Sequence, residues 1–242
     1  MTNKVQVVGG NSDIGFCIAK NFAKEGFQIQ LISKNLKKLE EKKIEIETQY
    51  NVKCEIIELD IEQKDKVKLF LDNQRDDVSI IIMAVGYLEN EEKNYSKILN
   101  LNYRSLVFYI ENALVKYSKN NVLKTIIGIS SIAGDRGKKK NNIYSSAKAG
   151  FSNYLDGLRQ RLYNQKINVI TVKPGYVKTK MTINLKLPKF LVSTPDEVSK
   201  IIFKSYKKNK TTVYDPRYWK YIMIIYKLLP EIFFKLLINF RK

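Results

Sequence analysis

Short apolar runs alternate with longer amphipathic stretches along the whole chain. Val5-Gln6-Val7-Val8, Gln28–Ser33, Cys54–Leu59, Ser79–Met83, Lys124–Ile129, Asn168–Val172 and Thr211–Tyr214 read as seven strands. Helical spacing runs through Ile18, Phe22 and Ala23, then through Leu36–Tyr50, Val67–Leu71, Leu99–Lys116, Ala147–Tyr163 and Asp196–Lys207. The run Ser79-Ile80-Ile81-Ile82-Met83 is apolar on both faces, as a strand covered by helices on either side must be. This βα alternation predicts an α/β fold: a Rossmann-type, doubly wound parallel sheet of seven strands with right-handed crossovers. Neither a repeat nor a low-complexity linker interrupts it, so residues 1–215 are expected to form one domain, followed by a helical tail over 216–242.

The tail has its own pattern. Tyr218, Ile222, Ile225, Tyr226 and Leu229 follow helical spacing, and Pro230 stands where a second helix would begin. In that second helix Ile232, Phe233, Leu236, Leu237 and Phe240 share one face, with Glu231, Lys235, Asn239 and Lys242 opposite. Trp219 and the tyrosines and lysines around it suit a bilayer interface, while Lys227, Pro230, Glu231 and Lys235 forbid a simple span. Burial in an oligomer interface is the alternative.

Composition narrows the chemistry. The 242 residues include no histidine, which excludes Ser-His-Asp and Cys-His catalysis and every His-ligated metal. Cys17 and Cys54 stand apart from any CxxC pattern, so no disulfide framework or thiolate metal site is expected. Catalysis must therefore run on Tyr, Lys, Ser, Asn or carboxylates. The net charge of +19, from 43 Lys and Arg against 24 Asp and Glu, suits an anionic membrane or an acidic partner; a Lys-rich compositional bias gives the same figure. No basic-aromatic module stands apart from the predicted sheet, so nucleic acid is not the expected partner. The N-terminus reads straight into the first strand, without a targeting segment, and the expected location is cytoplasmic.

Three segments carry the candidate chemistry. Val8-Gly9-Gly10-Asn11-Ser12-Asp13-Ile14-Gly15 lies between the first strand and the first helix, where glycines let backbone N–H groups approach a pyrophosphate. A tight βα connection needs the same residues. Strand two ends in Ser33-Lys34-Asn35, without the acid that holds a free ribose 2′-hydroxyl; Lys34 suits a 2′-phosphate, and a solvated surface lysine reads the same way. Tyr144 and Lys148 stand four apart in Tyr144-Ser145-Ser146-Ala147-Lys148, which places an ammonium beside a phenol on one helical face. Such a cation is expected to draw the phenol's pKa of ~10 toward neutrality. Ser130-Ser131 closes the fifth strand thirteen residues before Tyr144, at the sheet edge where ligands bind in such folds.

Together with Asp60, Met83-Ala84-Val85-Gly86, Asn102 and Pro174-Gly175-Tyr176-Val177-Lys178-Thr179, these residues resemble the short-chain dehydrogenase/reductase family over residues 1 to about 215. The resemblance implies Tyr144 as general acid, Lys148 as its partner and a ribose ligand, Ser131 on the substrate oxygen, and Asn102 holding the water of a proton relay. It also implies a nicotinamide cofactor, and Lys34 with no acid at the end of strand two leans the expectation to NADP(H) over NAD(H). Gly9, Asn11, Ser12, Ile14, Gly15 and Lys34 would hold its phosphates, and Asp60 and Ile61 the adenine. Ala84 and Gly86 would lie along the ribose, with Pro174, Val177 and Thr179 on the carboxamide side.

Two segments depart from the family pattern. Asp13 replaces a glycine and would repel a pyrophosphate unless it turns outward or caps the helix, and Met83-Ala84 replaces Asn-Asn. The glycine turn, Ser130–Gly137 and Val172–Gly175 are also similar to the decaprenylphosphoryl-2-keto-ribose reductase branch, which implies a keto group on a lipid-linked sugar for cell-envelope polysaccharide. A soluble reductase of acyl-carrier or small-ketone substrates, with the tail as homo-oligomer contact, is the second reading. A non-catalytic NADP-binding scaffold is the third, and the intact Asn102, Ser131, Tyr144 and Lys148 set speaks against it.

Overall fold

The structure is a computed structural model that describes residues 3–89, 93–118, 121–137, 139–179, 182, 191–230 and 232. Seven parallel strands form the sheet: β1 (Lys4–Val8), β2 (Gln28–Ser33), β3 (Cys54–Glu58), β4 (Val78–Met83), β5 (Thr125–Ile129), β6 (Asn168–Pro174) and β9 (Thr212–Asp215), in the order β3-β2-β1-β4-β5-β6-β9. The order reverses between β1 and β4, and such a switch point opens a crevice at the carboxyl ends of the strands. This is the expected doubly wound fold.

Burial on both faces explains the apolar strands. Ile80 and Ile82 turn to one side, where α1 (Asp13–Lys24), α2 (Leu36–Tyr50) and α7 (Pro195–Lys207) supply Phe22, Leu39, Ile46, Val198 and Ile202. Ile81 and Met83 turn to the other, against Leu71 of α3 (Lys64–Asp72), Tyr109 and Ile110 of α5 (Ser105–Tyr117), and Phe151 and Leu155 of α6 (Asn142–Arg161). Each layer interleaves side chains from alternate strand positions, as the period of two requires.

Three elements differ from the pattern-based expectation. The helix expected over Leu99–Lys116 is α4 (Tyr95–Leu99), a π-helical turn (Asn100–Arg104) and α5 in succession, because Asn102 in the turn is drawn into backbone contacts described below. Helix α6 begins at Asn142, before the apolar spacing that starts at Ala147, so Tyr144 lies in its first turn. A two-stranded parallel pair, β7 (Tyr176–Val177) with β8 (Val192–Ser193), follows β6 and is too short to leave a periodic signal.

In the tail, α8 (Tyr218–Leu228) folds back onto the domain: Trp219 and Met223 are buried in a small cluster with Ile132, backed by Tyr176, Leu191 and Tyr214. Trp219 therefore faces inward and not toward a bilayer. Tyr221, Ile222, Ile224, Ile225 and Leu228 remain exposed. The expected second amphipathic helix, with Phe233, Leu236, Leu237 and Phe240, falls outside the described residues. Among the described residues no helix is long and apolar enough to cross a membrane.

Candidate active site

The glycine turn is shaped by contacts that leave no room for side chains. Gly9 has φ +94°, and a β-carbon there would lie 2.7 Å from the Ala84 carbonyl oxygen; one on Gly15 would lie 2.7 Å from Ser12 Oγ. Ser12 caps α1, its Oγ accepting from Gly15 N at 3.0 Å and donating to Gly9 O at 2.8 Å. Its hydroxyl is thus spent inside the turn, while the positive end of the helix dipole faces the strand ends. Asp13 occupies the first turn, a favourable place for a carboxylate, and its field acts on Lys42 of α2. Ile14 packs against the core. Asn11 Nδ2 donates to Asn35 O at 2.9 Å, and Asn11 Oδ1 is buried without a partner among the described residues.

A cleft of about 300 Å³ opens beside this turn, lined by Gly9, Ser12, Lys34, Asp60, Ile61, Ala84 and Gly86 among others. Seven of the expected cofactor residues thus share one cavity. Lys34 is exposed at its rim, and Asp60 Oδ1 accepts from Glu62 N at 3.0 Å. Tyr87 and Lys97 also line it, with Lys97 Nζ 4.7 Å from the Tyr87 ring centroid. No motif marked either residue, and Lys97 belongs to α4, which the apolar spacing placed too late.

Asn102 is fully buried. Its Nδ2 donates to Tyr87 O at 2.6 Å and Ile98 O at 2.8 Å, and its Oδ1 accepts from Tyr87 N at 3.1 Å. Both amide hydrogens are used, and the side chain fixes the cleft wall at Tyr87.

The remaining catalytic candidates meet one strand further on, at the end of β5. Ser131 begins a 3-10 turn (Ile132–Asp135); its Oγ accepts from Ala133 N at 3.1 Å and shares a hydrogen bond with the Tyr144 phenol. Lys148 is buried, with Nζ donating to Ile129 O at 3.0 Å and standing 5.9 Å from the Tyr144 ring centroid. Its carbonyl accepts from Ser130 Oγ at 3.0 Å, so one lysine stitches strand and helix at both of its ends.

Burial governs the charges here. Desolvation pushes the Tyr144 phenol up to about 12 although the Ser131 bond acts the other way, and it pulls the Lys148 ammonium down to about 7. The expected fall of the phenol's pKa toward neutrality is not met, because the loss of water outweighs the Ser131 hydrogen bond, the one influence that lowers it. Tyr144 is a protonated phenol at neutral pH. Among the carboxamide-side residues, Pro174 ends β6, Val177 is buried in β7, and Thr179 N donates to Thr182 Oγ1 at 3.1 Å.

The profile of the short-chain dehydrogenases matches residues 3–189. The chain belongs to that family. This short-chain dehydrogenase is 26% identical over 220 residues to the 3-oxoacyl-acyl-carrier-protein reductase FabG of Chlamydia trachomatis, covering 83% of this chain and 88% of that protein. It is 28% identical over 205 residues to the very-long-chain 3-oxoacyl-CoA reductase of Anas platyrhynchos, covering 78% and 64% of the two chains. Among solved structures it resembles a short-chain dehydrogenase from Sphingobium yanoikuyae in complex with NADPH, with TM-score 0.81, 19% identity and coverage of 98% and 93%. A short-chain dehydrogenase from Mycobacterium paratuberculosis bound to NAD shares the fold at TM-score 0.77 and 15% identity, covering 88% and 96%.

Proposed function

We propose that this short-chain dehydrogenase is a carbonyl reductase that uses NADP(H) in preference to NAD(H). The observation that carries this reading is the Tyr144 phenol, bonded to Ser131 and backed by buried Lys148, beside the Lys34-rimmed cleft. The residues present fit such a nucleotide: Asn11 Oδ1 is a buried acceptor that a ribose hydroxyl would satisfy, and the α1 N-terminus suits a pyrophosphate. A nicotinamide nucleotide held there would supply the hydride. Ser131 orients the carbonyl oxygen, Tyr144 donates its proton to that oxygen, and Lys148 in its charged form stabilises the phenolate left behind. Burial keeps the Tyr144 phenol protonated at neutral pH, the form that carries the proton to be donated.

For the substrate we propose a keto group carried on a larger anchored molecule, either a lipid-linked sugar or a 3-oxoacyl thioester. The branch motifs favour the first, and the names of the curated relatives the second. Peripheral contact with an anionic bilayer from the cytoplasmic side belongs to the first. It is supported by the outer face of α8 and by a neighbouring groove of about 230 Å³ lined by Lys204, Lys210, Arg217 and Lys220. A homo-oligomer covering the same face belongs to the second. NADPH oxidation with acetoacetyl-N-acetylcysteamine and with a polyprenyl-phosphate keto sugar, each with and without anionic liposomes, tests these readings. Turnover of neither substrate would refute them.

A further inference from the structure

Asp135 ends the 3-10 turn that starts at Ser131, and it joins three other elements to that turn. Its side chain is 1% exposed. Oδ1 accepts from Lys173 Nζ of β6 at 2.6 Å and from Lys227 Nζ of α8 at 2.9 Å, and Oδ2 accepts from Tyr214 OH of β9 at 2.8 Å. The next residue, Arg136, donates through Nη1 to Tyr226 O and, at 2.9 Å, to Leu229 O, capping the last turn of α8. Lys173 immediately precedes Pro174-Gly175, and a β-carbon on Gly175 would overlap the Trp219 indole. The turn carrying Ser131 is therefore gripped from the tail side by α8.

We infer that Asp135 is a positioning residue of the catalytic centre, fixing α8 through Lys227 as a wall against Gly175 and the Ser131 turn. The charge balance supports this. Lys173 alone, 9% exposed, neutralises the carboxylate, so Lys227 is not needed to offset a buried charge. Its side chain is 46% exposed, and it can be removed without stranding Asp135. What Lys227 adds is a tie between the tail and the turn. Buried ion pairs contribute little net stability, and fixing a geometry is their better-supported use. The turnover part of the inference rests on the reductase reading; the docking part does not.

Trp219 is the single tryptophan of the chain, so its emission reports α8 docking directly. Full-length Lys227→Met should show a red-shifted, more quenchable Trp219 and weaker energy transfer from Trp219 to bound NADPH. Its kcat on acetoacetyl-N-acetylcysteamine should fall by about 10- to 100-fold, the cost of misplacing a catalytic group by up to an ångström. NADPH affinity should stay close to the wild-type value, and Lys227→Arg should restore kcat. Asp135→Asn should show the same split more strongly. A Lys227→Met protein with wild-type kcat overturns the inference, whether or not its emission shifts. If the wild-type protein does not turn over this probe, the reductase reading suffers, and Trp219-to-NADPH transfer decides the inference by itself: unchanged transfer in Lys227→Met overturns it.

Discussion

Gly134 sits directly on the backbone of Lys148: a β-carbon there would lie 2.7 Å from the Lys148 carbonyl carbon and 2.8 Å from its oxygen. The turn that begins at Ser131 is thereby pressed onto the first half of α6, where Tyr144 and Lys148 stand one helical turn apart. Gly134→Ala must push the two apart, because backbone on both sides cannot yield as a flexible side chain would. Overpacking of this kind costs ~1–3 kcal/mol in stability. We expect a folded protein whose turnover drops more than its melting temperature suggests, measured by NADPH oxidation beside thermal melts. Unchanged turnover would show that Ser131 does not depend on this contact.

Replacing the phenol removes the proposed proton donor and should leave the fold intact. Tyr144→Phe should lose at least ~10²-fold in kcat, the low end for general acid catalysis, while binding NADPH as before. Single-turnover kinetics with pre-bound NADPH separate the two effects. A variant retaining most of its turnover would remove Tyr144 from the role of acid.

Lys148 makes stability depend on pH in an unusual sense. Burial lowers its pKa from 10.5 to about 7, so between those values the folded protein binds fewer protons than the unfolded chain. Stability from this group therefore rises as pH climbs from about 7 to about 10.5, and the penalty is complete below about 7. Lys148→Met should melt above the wild-type protein at pH 6, with the gap closing toward pH 10, while turnover is lost. Calorimetry across that range checks the sign; a wild-type protein more stable than the variant at pH 6 would contradict it.

Lys34 stands exposed at the rim of the cleft, one residue beyond β2. Lys34→Asp should exchange attraction for a 2′-phosphate for a hydrogen bond to a 2′-hydroxyl. We expect the ratio of NADPH to NADH dissociation constants to move at least ~10-fold toward NADH, which corresponds to ~1.4 kcal/mol. Equal or tighter binding of NADH by the unmodified protein would count against the NADP(H) preference.

The outer face of α8 can be tested without touching its docked side. Ile225 and Leu228 are 64% and 76% exposed. Ile225→Glu with Leu228→Glu should abolish co-sedimentation with anionic liposomes and leave Trp219 emission unchanged. A change in solution mass instead, without any liposome effect, would assign that face to self-association.

Most of the architecture was legible along the chain, because burying a sheet on both faces imposes apolar runs of strand length and helices impose a different period. The glycine turn and the Tyr144/Lys148 spacing were legible for a similar reason: close backbone approach and a shared helical face are local requirements that leave local marks. What stayed hidden depends on residues far apart in sequence. The commitment of Asn102 to Tyr87, the place of Lys97 in the cleft and the inward turn of Trp219 each arise only when distant segments meet. The pKa of Tyr144 belongs with them, since a lysine four residues away predicts a fall whereas burial, a property of the whole packed domain, produces a rise. Asp135 shows the difference most clearly. The sequence by itself determined a doubly wound sheet, the Ser131 turn at its edge and a basic, apolar tail. Only tertiary packing decided that Asp135 ties the two together, because a buried carboxylate takes its partners from whatever the fold brings within reach, here Lys173, Tyr214 and Lys227.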